Sequence, residues 1–187
     1  MGSRSLETGL IGGIEKREIR IVDYDPMWRA QFEMHAGIIA GALGEAVLQV
    51  EHIGSTSVPG LAAKPIVDIL VVVRNSADES SYLPRLTSAG YLLRVREPDW
   101  NEHRMFRTPE RDVHVHVYSE GCGEIDRNLA FRNHLRTNPQ DRDRYEMTKR
   151  ALAKKDWPDM NAYASAKTQV IEDMIAAAKA ARCRSAG

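Results

Sequence analysis

The chain has 187 residues, 43% of them hydrophobic, with 26 Lys and Arg balanced by 26 Asp and Glu. That length suffices for one domain with a substantial core, and the zero net charge excludes a whole-molecule field drawing the protein to nucleic acid or an anionic membrane. Two cysteines, Cys122 and Cys183, exclude a disulfide framework and a cysteine zinc site, and no apolar run is long enough to span a bilayer.

Residues 1–18 mix glycine, serine and charge without periodicity or the apolar core of a signal peptide, and residues 181–187 are similar. Both ends are expected to be flexible, leaving 19–180 as a single cytoplasmic domain. Residues 19–22 read as a short edge strand. Asp25 and Pro26 then start a helix to about residue 43, with Trp28, Phe32, His35 and Ile39 recurring at helical spacing and His35 as a core histidine. Apolar runs over 48–53 and 66–73 predict two central strands joined by a turn of small residues, Gly54, Ser55, Thr56 and Ser57, whose amides can approach a phosphate. A second turn follows at Pro59-Gly60, and Pro65 bars helix before the second strand. Within that strand stands one carboxylate, Asp68, which is costly to desolvate unless it meets a partner, metal or ligand.

Residues 77–89 read as a surface helix burying Leu83 and Leu86 and stopped by Gly90. Short strands over 91–95, 103–107 and 113–118 predict a meander on the same sheet, with 97–102 a loop. Helices follow over 124–136, 140–154 and 160–179, broken at Asn138-Pro139 and Trp157-Pro158. This order of elements predicts an α+β fold, a mixed sheet flanked by helices with a C-terminal helical segment.

Two sets of side chains could carry chemistry. Strand alternation puts His114 and His116 on one face and Val113, Val115 and Val117 on the other, so two imidazoles project together toward the side of Asp68. One carboxylate and two imidazoles suit zinc, manganese, iron or nickel better than magnesium, which prefers oxygen. His52 or His103 could join them, with Glu102 close enough to orient His103; Glu51 lies on the strand face opposite His52 and is the weaker candidate. On the helices, Arg132 and Arg136 fall within the apolar arc of Leu129, Phe131 and Leu135. Lys149 lies between Tyr145 and Leu152, and Lys167 among Tyr163, Val170 and Met174. One such cation can snorkel or pair with an acid. Four together, with Lys64, are expected to surround an anion such as a triphosphate in one hollow shared with the turn and Asp68. Trp100 and Trp157 read as packing anchors, and Asp99, Glu102, Asp112 and Asp126 as solvated or capping groups.

Several motifs in order extend this reading: Asp25-Pro26-Met27-Trp28; His52-Ile53-Gly54-Ser55-Thr56-Ser57-Val58-Pro59-Gly60-Leu61; Lys64-Pro65-Ile66-Val67-Asp68; His103-Arg104; His114-Val115-His116; Phe131-Arg132 with Leu135-Arg136; and Tyr163 with Lys167. From about residue 19 to 178 the chain resembles the GrpB family, a branch of the nucleotidyltransferase superfamily. The resemblance implies metal-dependent nucleotidyl transfer from a nucleoside triphosphate to an acceptor. Gly54, Ser55, Thr56 and Ser57 would hold phosphates, and Asp68 with His114 or His116 would hold a divalent ion, whether magnesium, manganese or a transition metal. Lys64, Arg132, Arg136, Lys149 and Lys167 would offset the polyphosphate charge, with His52 a further metal candidate. The superfamily reads acid, any residue, acid on this strand, and Leu70 stands at the second place. That departure favours the alternative of a domain that binds a nucleotide or other phosphorylated ligand without turnover. Metal-assisted hydrolysis of a phosphorylated small molecule is a third reading. A nucleic-acid partner is not expected.

Overall fold

In the computed structural model, which describes residues 9–185 except 14, 16, 17 and 159, the β-branched run Val67–Val73 (β2) is the strand around which the sheet is built. Val47–Ile53 (β1) pairs with it antiparallel on one side, and Val113–Ser119 (β5) pairs with it parallel on the other. Leu92–Glu97 (β3) and His103–Arg107 (β4) complete the sheet, in the order β1-β2-β5-β4-β3, with the last three strands forming the expected meander. A strand buried on both faces needs an uninterrupted apolar run, and β2 is buried at every position except Asp68.

One sheet face carries Ile69, Val71, Val115 and Val117, covered by the helix Met27–Leu43 (α1) and by the short helix Leu83–Ser88 (α2). The other face carries Leu70, Val72 and Tyr118, and is covered by Ile125 and Leu129 of Gly123–Thr137 (α3). A third cluster joins Val58 and Leu61, just after the small-residue turn, to Leu135 of α3, Tyr145 of Pro139–Ala153 (α4) and Met174 of Thr168–Ser185 (α6). Each of these large apolar side chains, fully buried, contributes about 1.5–3 kcal/mol. Together they anchor the turn against the C-terminal helices.

Local sequence explains most of the boundaries. Asp25 Oδ1 accepts from the Met27 amide at 2.9 Å at the start of α1, and Asn138 Oδ1 accepts from the Asp141 amide at 3.1 Å ahead of α4, where Pro139 occupies the first turn. His35 is half-buried, with Nδ1 2.7 Å from the Tyr91 hydroxyl.

Four expectations are corrected. The edge strand over 19–22 reduces to one bridge, Val22 to Ala63. The helix over 77–89 is a 3-10 turn, Glu79–Ser81, followed by α2, because Tyr82 turns inward to donate to Ser76 O at 2.5 Å and Pro84 then opens a new first turn. The helix over 160–179 is two helices, Met160–Ser165 (α5) and α6, separated where the Lys167 amide bonds three residues back to Ala164 O. α6 also continues to Ser185, into the region expected to be loose. Near the N-terminus, Leu10 bridges Val95, the Arg94 guanidinium holds the carbonyls of Ile11 and Gly13, and Glu15 pairs with Arg107 at 2.9 Å. Residues 1–8, 186 and 187 lie outside the described residues. Among the described residues, no helix is long and apolar enough to cross a membrane.

Candidate functional site

The parallel pairing of β2 and β5 sets Asp68 beside His114, and His116 follows two residues on along the same face. His114 Nδ1 lies 3.5 Å and His116 Nε2 3.6 Å from Asp68 Oδ1, and one ligand atom from each of the three lies within 4.8 Å of the others. Two ligands about 2.1 Å from one ion at tetrahedral angles stand about 3.4 Å apart, so these separations match a shared transition-metal ion. Two imidazoles with one carboxylate fit zinc-like ions and not magnesium. Burial pushes the Asp68 carboxyl up, but the bonds and charge from His114 and His116 outweigh it and hold the carboxyl well below the usual carboxylate range.

Behind His116 lies His103, which the sequence offered as a further member of the set, held by an acid, Glu97, that sequence reasoning missed. Glu97 Oε2 is 2.8 Å from His103 Nδ1, and His103 Nε2 is 3.1 Å from His116 Nδ1. A carboxylate only accepts, so Glu97 keeps the His103 proton on Nδ1. His103 Nε2 and His116 Nδ1 share one proton, and its position decides whether His116 Nε2 donates to Asp68 or presents a lone pair to an ion. The relay is packed in place, with His103 stacked on Tyr118 at 4.8 Å and on His116 at 5.3 Å, and Trp100 set edge-on at 5.4 Å. Glu102 is not the orienting acid: it adopts φ +48° and pairs with Arg104, whereas Glu97 is the register partner of His103.

The small-residue turn presses against this centre. Gly54 has φ +69°, and a Cβ there would lie 2.5 Å from Asp68 Oδ2. The amides of Ser57 and Val58 close the 3-10 turn Ser55–Ser57, and the Ser57 hydroxyl donates to Gly54 O at 2.6 Å; among the described residues the amides of Ser55 and Thr56 make no such bond.

Asp68 and His114 border a cavity of about 80 Å³, enough for a single phosphoryl-sized group, with Ser55, Lys64, Lys149 and Lys167 around it. Burial first, then Lys167, pushes the Lys149 ammonium down to about 7; its Nζ donates to Ala62 O and sits 4.8 Å from the Tyr145 ring centre. Burial and Lys64 push Lys167 down to about 8. Lys167 and Lys64 stand 4.5 and 5.2 Å from the centre of one ring, Tyr163. Tyr163 is fully buried, and its hydroxyl has no hydrogen-bond partner among the described residues. Its place in the family motif was legible, but the orphaned hydroxyl was not.

Two expectations about the site are corrected. His52 does not join the metal set: it pairs with Ile69 on the opposite sheet face, stacks on Phe32 at 4.8 Å, and is 3.1 Å from Thr56 Oγ1. Burial pushes it down to about 4, so it is neutral. Glu51 is the residue on the Asp68 face, and it binds Arg132 at 2.6 Å. Nor is there one hollow: Arg132 and Arg136 line a second cavity on the far side of the turn, and the three lysines stay with Asp68.

A family model described as GrpB protein matches residues 18–177. A UPF0157 protein of Halalkalibacterium halodurans is 51% identical over 162 residues, covering 87% of this chain and 83% of that one. A UPF0157 protein of Streptomyces coelicolor is 53% identical over 173 residues, covering 92% and 91%. The crystal structure of the conserved protein GrpB from Enterococcus faecalis superposes with a TM-score of 0.76 at 38% identity, covering 85% of this chain and 96% of that one.

Proposed function

Because this chain belongs to the GrpB family, we propose that it holds one divalent transition-metal ion on Asp68, His114 and His116 and places a phosphorylated ligand, such as a nucleoside triphosphate, against it. The observation that carries this reading is the convergence of His114 Nδ1 and His116 Nε2 on Asp68 Oδ1 at 3.5 and 3.6 Å, the spacing of ligands around one ion. A bound ion supplies Lewis-acid polarisation of a phosphoryl oxygen. The chain supplies the rest: the Ser55 and Thr56 amides and the Tyr163 hydroxyl donate to phosphate oxygens, and Lys64, Lys149 and Lys167 offset their charge. The reaction is nucleotidyl transfer, in which an acceptor hydroxyl forms a bond to the α-phosphorus while the bond to the bridging oxygen breaks. Pyrophosphate leaves, and the hydroxyl proton passes to solvent.

A specific observation favours a second reading, binding without turnover. Leu70 is fully buried beneath α3, and Glu51, the other acid on this face, is engaged by Arg132, so among the described residues Asp68 is the one carboxylate at the centre. The superfamily's paired acids would hold two ions. Metal analysis of protein prepared without a histidine tag, beside its Asp68→Asn variant, tests the centre: metal retained by the parent and lost by the variant is expected, and equal content in both rejects it. Nucleotide stabilisation with pyrophosphate release identifies the transferase; stabilisation alone identifies the binding domain.

A further inference from the structure

The cavity on the far side of the turn is the larger of the two, about 560 Å³, and the metal reading leaves it unused. α1, α3 and α4 wall it, and the end of β1 and the turn form its floor. Four guanidiniums face it, from Arg29, Arg132, Arg136 and Arg142, against two carboxylates, Glu33 and Glu51. Both acids are already committed, Glu33 to Arg29 at 2.9 Å and Glu51 to Arg132 at 2.6 Å. Arg136 uses Nε and Nη2 on one carbonyl, Ser57 O, at 3.0 and 2.7 Å. Among the described residues neither Arg136 nor Arg142 has a carboxylate partner. His52, kept neutral by burial, adds no charge. Tyr24, Phe32 and Pro59 give the same cavity an apolar wall.

We propose that this cavity is a second ligand site, for an organic phosphomonoester whose dianionic head lies between Arg136 and Arg142 and whose flat apolar part rests on Phe32, Tyr24 and Pro59. Two guanidiniums arriving from consecutive helices supply two positive charges and paired donors to one tetrahedral head, a match that a single carboxylate does not make. The site stands independently of the metal centre but is joined to it through one loop. Arg136 holds Ser57, Ser57 holds Gly54, and Gly54 rests on Asp68. A ligand here therefore meets the side of the turn away from the lysines, and reaches the metal centre through that loop alone.

Isothermal titration with phenyl phosphate, benzoate and inorganic phosphate tests the proposal. Arg142→Gln is the main variant, since its side chain makes no bond within the described fold; Arg136→Gln is the second, and disturbs the turn as well. Phenyl phosphate is expected to bind about tenfold more tightly than either benzoate or inorganic phosphate, and Arg142→Gln to weaken it at least about tenfold. Amide chemical-shift mapping should place the perturbations at Phe32, Ser57 and Arg142. No binding of phenyl phosphate, binding unaltered in Arg142→Gln, or perturbations confined to the surroundings of Lys64 and Tyr163 would each overturn the assignment.

Discussion

Gly54 rests directly on the Asp68 carboxylate, so close that a single added carbon at position 54 would lie 2.5 Å from Oδ2. Its backbone, at φ +69° and ψ −173°, is in a region open in practice only to glycine. Gly54→Ala therefore meets two penalties at once, backbone strain of about 1–3 kcal/mol and displacement of the carboxylate on which the proposed metal centre rests. The expected outcome is a folded protein with a lowered urea midpoint and a metal affinity reduced more than the midpoint loss explains. Undiminished metal binding in Gly54→Ala would show that the turn and Asp68 are not coupled.

In the proposed centre Glu97 and His103 touch His116 and not the ion, which makes them positioning residues. Removing partners behind a ligating histidine typically lowers metal affinity about 10–100-fold. His103→Ala and Glu97→Ala should fall in that range in a competitive chelator titration. Glu97→Gln, whose amide oxygen still accepts from His103 Nδ1, should recover part of the loss. A merely structural role predicts lowered melting temperature with metal affinity unchanged.

The lysines give the protein a pH signature. Burial lowers Lys149 in the folded chain from 10.5 to about 7, so between about pH 7 and 10.5 the unfolded chain binds more protons than the folded one. Stability must then rise with pH across that window, by up to about 1.4 kcal/mol per unit from one such group. Lys167, lowered to about 8, acts in the same direction. Urea midpoints at pH 7 and 9.5 should increase, and Lys149→Met should flatten the increase. Conversely, a phosphate group in the small cavity would stabilise the charged ammoniums, so the affinity for inorganic phosphate should fall as pH rises from 7.5 to 9.5.

How far the sequence could lead is set by what alternation and periodicity encode. Alternation along Val113–Ser119 is enough to send His114 and His116 to one side, and the lone Asp68 in an apolar run marks its own strand. Alternation also separates Glu51 from His52, but which of them faces Asp68 depends on the pairing of Ile53 with Asp68, a long-range register that no local pattern carries. The helical arcs correctly turn Arg132 and Lys149 inward, yet the side of the turn each one reaches depends on how α3, α4 and α6 pack. Glu97 is six residues from His103 in sequence and opposite it in the hairpin, while positive φ at Asn101 and Glu102 turns the nearer acid toward Arg104.

Tyr163 offers the sharpest separation of a ligand-facing group from a structural one. A buried hydroxyl without a partner costs about 1–3 kcal/mol in the free protein, so deleting it should leave stability unchanged or raise it. If instead the hydroxyl serves the fold, Tyr163→Phe lowers stability and leaves binding intact, because the ring and its contacts with Lys64 and Lys167 remain. If it donates to a phosphate oxygen, the variant melts no lower than the parent without ligand and gains less from pyrophosphate or a nucleotide. The loss corresponds to one hydrogen bond to a charged acceptor, about 1.5–3 kcal/mol, or roughly a 10–150-fold weaker dissociation constant. The opposing pair of results, a destabilised free protein with ligand affinity intact, would remove Tyr163 from the phosphate cavity and leave the three lysines to account for it alone.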